Sequence, residues 1–193
     1  MAVIGGAGLG HLPQITITYT GNWSPPIDGN VCFHLVGAGG GGQGSTSNQT
    51  SGGGAGGYCK KNSVAVVTTD VFAIAIGAAG LGNSESAGSG GGHTTVNQTT
   101  GSGLSAQLNA NGGGGGGTNT PGAGGSASNG DVNNTGGAGE RHSWAAGDTG
   151  CGGSVGIYGT GNSGSSRGDG TYGATITQCD AAGGGLAMSG YGQ

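Results

Sequence analysis

The sequence predicts a mainly β and irregular fold. A short N-terminal antiparallel β-part is followed by a glycine-rich polyglycine-II helix bundle with polar loops, and there is essentially no α-helix. Three observations carry this expectation. Glycine supplies 55 of the 193 residues, six of them consecutive from Gly112 to Gly117. Glycine loses more backbone entropy on folding than any other residue and offers no side chain to bury, so an ordinary core cannot hold such tracts together. Short runs before Gly77 are β-branched or aromatic and partly alternating, which is strand chemistry. After Gly77, glycine tracts alternate with Ser, Thr and Asn spacers, no run has the apolar period of an amphipathic helix, and almost none resembles an ordinary strand.

Taken in order, Met1-Ala2-Val3-Ile4-Gly5-Gly6 lacks the basic start and long apolar centre of a signal peptide. No stretch approaches the ~20 apolar residues that span a bilayer, so synthesis and assembly in a cytoplasm are expected. Gln14 to Thr20 reads as a strand with Ile15, Ile17 and Tyr19 on one face and Thr16, Thr18 and Thr20 on the other. Pro25-Pro26 and Asp28-Gly29 are turn chemistry. Val31 to Val36 is a second strand, and Asn62 to Thr68 and Val71 to Ile76 read as a hairpin joined through Thr69-Asp70. The expected division is 1–21 as an attachment segment, 22–82 as the strand part with the first glycine tracts, and 83–193 as the bundle with displayed loops.

Polyglycine can adopt the left-handed polyproline-II helix, with three residues per turn and about 3.1 Å rise per residue, so six glycines span about 19 Å. Side by side, such helices can pair N–H with C=O between neighbours and add weak Cα–H contacts to carbonyls. Tracts then become rods and polar spacers become loops at the ends. A flexible Gly/Ser linker would not need tracts and spacers to alternate so regularly.

Composition excludes several classes. Only 6% of residues are charged, and four Lys plus Arg cannot track a phosphate backbone, so nucleic acid is not an expected partner. Glycine does not recur every third residue as in collagen. Gly37-Ala38-Gly39-Gly40-Gly41-Gly42 satisfies GxGxxG, but no helix pattern follows to receive a pyrophosphate, and Gln43 stands where a P-loop needs Lys. Val3-Ile4-Gly5-Gly6-Ala7-Gly8 resembles a flavoprotein start, but Pro13 closes off a following helix. His11, His34, His93 and His142 share no ligand spacing. Cys32, Cys59, Cys151 and Cys179 fit no zinc pattern and suit small buried filler better than disulfides. Arg167-Gly168-Asp169 and the three Asn-X-Ser/Thr sequons follow from the composition. No catalytic, cofactor-binding or metal residue is assigned, and no enzyme is expected.

One constellation stands out. Trp144, Tyr158 and Tyr172 recur 14 residues apart, which suits one rod out and one back and would set the three rings at one bundle end. Exposed aromatics among polar residues suit sugar or protein recognition. The candidate surface takes in the loops Ser128 to Thr135, Glu140 to Thr149 and Gly161 to Tyr172, and with them Asn133, Asn134, Arg141, His142, Asn162 and Arg167.

Trp23-Ser24-Pro25-Pro26, the strand Val31 to Val36 running into Gly37-Ala38-Gly39-Gly40-Gly41-Gly42, Gly56-Gly57-Tyr58-Cys59-Lys60-Lys61, the runs from Val64 to Ile76, and Gly77-Ala78-Ala79-Gly80 together resemble the glycine-rich domain of phage tail and fibre proteins. The ordered motifs cover about residues 22 to 125; beyond them the likeness is compositional. The design is also similar to tail-fibre adhesins whose polyglycine-II rods carry variable loops. This resemblance implies a virion structural protein, a tail fibre or fibre-tip adhesin that binds a host-surface polysaccharide or outer-membrane protein non-covalently. It further implies other virion proteins as partners and a homotrimer as the fibre form. Met1 to about Thr20 is the candidate mount, able to add to a partner's sheet edge. A head fibre or capsid-decorating protein would share the fold, an ice-binding protein could use polyglycine-II with a flat face of small residues, and a hydrolase would destroy its receptor.

Overall fold

Strand chemistry recurs along the whole described chain, before and after Gly77. The computed structural model describes residues 2–6, 14–44, 50–142, 155 and 159–164. Among them lie β1 (Ala2–Gly6), β2 (Ile15–Ile17), β3 (Gly21–Trp23), β4 (Gly29–Val36), β5 (Thr50–Ser51), β6 (Tyr58–Val66), β7 (Val71–Ala75), β8 (Thr94–Thr100), β9 (Leu108–Ala110), β10 (Ala127–Ser128), β11 (Val132–Asn134) and β12 (Arg141–His142). None of the described residues is helical.

Two five-stranded antiparallel sheets, in the orders β11-β6-β4-β1-β2 and β10-β9-β8-β7-β3, pack into a sandwich, and β12 pairs with β5 in a small ribbon. Alternation along β4 sends Val31, Phe33 and Leu35 inward, where they join Cys59, Val64 and Val66 of β6 against Phe72, Ile74, Val96, Leu108 and Ala110 of the other sheet. Trp23, Phe33 and Phe72 cluster across the two layers, with ring centroids 5.2–6.2 Å apart, a spacing at which aromatic pairs add attraction beyond buried area. The outer strands β2, β3, β10 and β11 are all two or three residues long, which limits edge-to-edge pairing.

Three sequence expectations need correction. Thr94–Thr100 is a seven-residue strand whose alternation is carried by Thr94 and Val96, 1% and 0% exposed, among polar neighbours that disguise it. The expected hairpin of Asn62–Thr68 with Val71–Ile76 is instead a crossing between layers. β6 pairs with β4 and β11, and β7 with β3 and β8. The turn between them is closed by Asp70, whose N–H donates to the Val67 carbonyl and whose carboxylate accepts from the Val67 N–H, and it delivers the two strands to opposite faces of one core. Third, Tyr19 is not on the inward face with Ile17, because β2 ends before it and its ring lies 63% exposed over Gly21. The first sheet takes strands from 1–21, 22–82 and 83–193 alike, and the second joins strands on both sides of residue 82.

Glycine tracts continue the strands beyond one end of the sandwich. β4, β7, β9 and β11 run out into tracts, and β6, β8 and β10 begin where tracts return. The spacers 24–28, 67–70, 101–107 and 129–131 therefore lie at the sandwich end, whereas 83–87 and 118–121 lie at the far tips of the tracts. Neighbouring tracts bond backbone to backbone at every third residue. Gly37, Gly40 and Gln43 donate to Gly57, Gly54 and Ser51, while Ala38 and Gly41 donate to Gly92 and Ser89. The same tract accepts at Gly39 and Gly42 from Gly80 and Asn83, and at Ala38 and Gly41 from Gly113 and Gly116. It thus bonds to four other tracts, where a strand in a sheet bonds to two. Gly112–Gly117 is equally central. A Cβ added at Gly113 would lie 2.0 Å from the Gly54 carbonyl oxygen, so only a bare Cα fits.

Candidate binding surface

The nine sequence-predicted residues divide by position. Trp144, Tyr158, Arg167 and Tyr172 lie outside the described residues. The other five follow one flank of the molecule rather than gathering at one loop end. Asn133 and Asn134 stand on β11, the outer strand of its sheet, paired in register with Cys59 and Tyr58. Beyond them the chain continues as a tract whose Gly136 and Gly139 N–H groups donate to Gly125 and Gly122. It ends in β12, where Arg141 and His142 stand opposite Ser51 and Thr50. Asn162 is exposed on a segment beside this tract, held by Gly161 and Gly164 N–H bonds to the Thr135 and Ala138 carbonyls. Along the flank the order is therefore Asn133 and Asn134 at the base, Asn162 partway, and Arg141 at the tip.

The segment Ser128 to Thr135 is a tied turn between the two sheets at the sandwich end, not a loop at a tract tip. Asn133 Nδ2 donates to the Gly130 carbonyl at 2.8 Å, and Asn133 Oδ1 accepts from the Gly130 N–H at 3.0 Å. Asn129 takes positive φ, 66°, as short polar side chains do in tight turns, and donates to the Gln107 carbonyl. Asp131 accepts from Lys61 Nζ at 2.6 Å and from the Asn62 N–H at 2.7 Å. These bonds hold its carboxyl below the usual carboxylate range, Lys61 being the main cause. Asn133 is exposed, as are Arg141 and Asn162, but its amide is engaged with the Gly130 backbone.

Sequence reading passed over a polar pair beneath this flank. His34 Nδ1 lies 2.7 Å from the Tyr58 hydroxyl, on the outer face of the β4–β6 pair, where Val36, Tyr58 and Val155 form a second buried cluster with Val132 at its margin. Tyr58 is fully buried, and burial pushes its hydroxyl up to about 12. Burial, then the charge of Lys60, hold His34 below its ordinary value. The only available signal was alternation: if Phe33 and Leu35 point inward, His34 and Val36 must point out. Tyr58 is buried while His34 is half-buried, so the pair braces the base of the flank from just beneath the surface.

Cys59 is buried and Cys32 half-buried, both as free thiols, with the Cys59 thiol donating to the Ser128 carbonyl. Cys151 and Cys179 lie outside the described residues, as does His11. His93 is exposed. Among the described residues no three His, Cys, Asp or Glu side chains gather as metal ligands.

The sequence model of a glycine-rich domain family matches residues 15–193. The chain belongs to this glycine-rich domain family. The match takes in every strand except β1, together with all the glycine tracts, so the sandwich and its tract layer are parts of one family unit. Comparison with curated proteins and with solved structures finds no match.

Proposed function

We propose that this glycine-rich domain protein is a phage virion component, a tail fibre or fibre-tip adhesin that binds a host-surface receptor without covalent chemistry. In this reading its tract layer is a polyglycine-II bundle. Bonding at every third residue is the repeat of a three-residue turn, and four bonded neighbours per tract need donors and acceptors around the whole perimeter of a rod. The observation that carries the functional reading is where the side chains are. The tract layer is held by backbone groups that any glycine supplies, so the spacers at its tips and the exposed flank carrying Asn162 and Arg141 are free of packing duty and free to vary. Such an arrangement suits recognition of a polysaccharide or an outer-membrane protein, with the sandwich facing the particle.

Adsorption competition tests this directly. Purified protein is expected to block adsorption of the parent phage to its host. Arg141→Ala with Asn162→Ala, and separately Trp144→Ala with Tyr172→Ala, are expected to weaken the block at least tenfold while leaving the melting temperature unchanged. Unchanged adsorption at saturating protein would remove the adhesin reading. Reconstruction of the virion would then decide between a tail position and a capsid-decorating one.

A further inference from the structure

The family match covers residues 15–193 and so begins after β1. β1 stands between β4 and β2 and is antiparallel to both. Ala2 to Gly6 stand opposite Leu35 to Val31 on one side, and Ala2 to Ile4 opposite Ile17 to Ile15 on the other. Consequently β2 and β4 run parallel to each other one strand-width apart and share no ladder. With β1 removed, β4 presents an unpaired edge, while β2, whose ladder is to β1, keeps its place beside it through Ile15 and Ile17 on the core. A strand bonded on both edges and supplied by a segment outside the matched residues has the geometry of strand donation. Its link to β2, residues 7–14, includes Gly8, Gly10 and Pro13, a stretch with no apolar period of its own.

We propose that β1 is an exchangeable strand and that the slot between β2 and β4 takes the β1 of a second copy of this chain. Exchange preserves every ladder bond, because the same residues meet the same partners in trans. The difference between the closed and exchanged forms is the entropy of the link, which high local concentration offsets. Reciprocal exchange would join copies through their sandwiches and leave the tract tips facing outward. This does not depend on the receptor reading. For the mount expected of Met1 to about Thr20 it has one consequence: β1 has both edges occupied, so it can add to a partner's sheet only by leaving its own.

The register supplies the test, since Gly5 stands opposite the free thiol Cys32. Full-length chains carrying Cys151→Ser and Cys179→Ser are used throughout. In the control, Gly5→Cys alone is expected to form a 5–32 disulfide on mild oxidation, identified by peptide mass mapping. In the mixture, one population carries Gly5→Cys with Cys32→Ser and the other keeps Gly5 and Cys32. Neither population can form the link by itself, so a disulfide-joined dimer linked 5–32, increasing with protein concentration, is expected only if β1 crosses between copies. A control that links with no mixed dimer at any concentration overturns the proposal. A control that never links overturns it as well, because β1 would then not occupy the slot.

Discussion

The sandwich and the tract layer achieve cohesion by opposite means. In the sandwich, side chains are the adhesive: Phe33, Phe72 and Val96 are fully buried, and each large apolar group removed from water contributes about 1.5–3 kcal/mol. In the tract layer the backbone is the adhesive, and side chains are what must be absent. Buried N–H and C=O groups left unpaired would be costly, and the layer satisfies them by bonding Gly40 to Gly54, Gly54 to Gly114 and Gly114 to Ala123 in succession across it. A loss of volume therefore damages the first region, whereas a gain of a single methyl damages the second.

The largest effect should come from that methyl. Gly113→Ala places a Cβ into the Gly54 carbonyl, a backbone contact that no rotamer can relieve, and should destabilise by about 5 kcal/mol, in the range that marks a specific structural fault. Chemical denaturation would register it, and a variant as stable as the parent would remove the backbone-core account. Phe72→Ala should come next, at about 3–4 kcal/mol through lost burial and a cavity between the sheets. Its midpoint shift, compared with Gly113→Ala in one denaturant series, measures the two kinds of core against each other.

A smaller effect belongs to the junction of the two regions. His34 titrates below its ordinary 6.5 in the folded chain, so between the two values the unfolded chain holds more protons. Stability is then full above about pH 6.5 and declines as pH falls toward the folded value. Tyr58 titrates above its ordinary 10.0, at about 12, so stability also declines as pH rises from 10 toward 12. Melting temperature measured across pH should show both limbs. His34→Gln should flatten the acid limb, and an unaltered acid limb would assign that dependence elsewhere. The smallest effect is the control for glycine itself. Nothing lies within 4 Å of a Cβ at Gly29, so Gly29→Ala should leave stability unchanged or raise it by up to about 1 kcal/mol through the unfolded chain.

Much of the sandwich was legible, for reasons tied to particular residues. Val31 to Val36 and Val71 to Ile76 are concentrated β-branched and aromatic runs, and both fall on strands. Thr94–Thr100 escaped because its inward positions are filled by Thr94 and Val96 among Asn, Gln and Thr, which resembles a polar spacer. The hairpin misreading has a different origin. A two-residue link is read locally, but Asp70 folds that link so that the strands part to different sheets. Of the candidate surface, Arg141 and Asn162 are exposed. Asn133 is exposed too, yet its amide closes a turn on Gly130, which the sequence could not show, because a polar residue in a spacer and a polar residue closing a turn have the same letter.

By itself the sequence determined the absence of helix among the described residues, the presence of alternating strands, and the need for glycine tracts to cohere through their backbones, since each follows from local sterics and side-chain chemistry. Only the tertiary structure decided which strands share a sheet, that sandwich and tracts interleave along the chain, and that β1 lies inside a sheet rather than at its edge. Those are pairings between distant segments. Many partners satisfy the same local pattern, and the choice among them is made by how the two sheets and the tracts fit together at once.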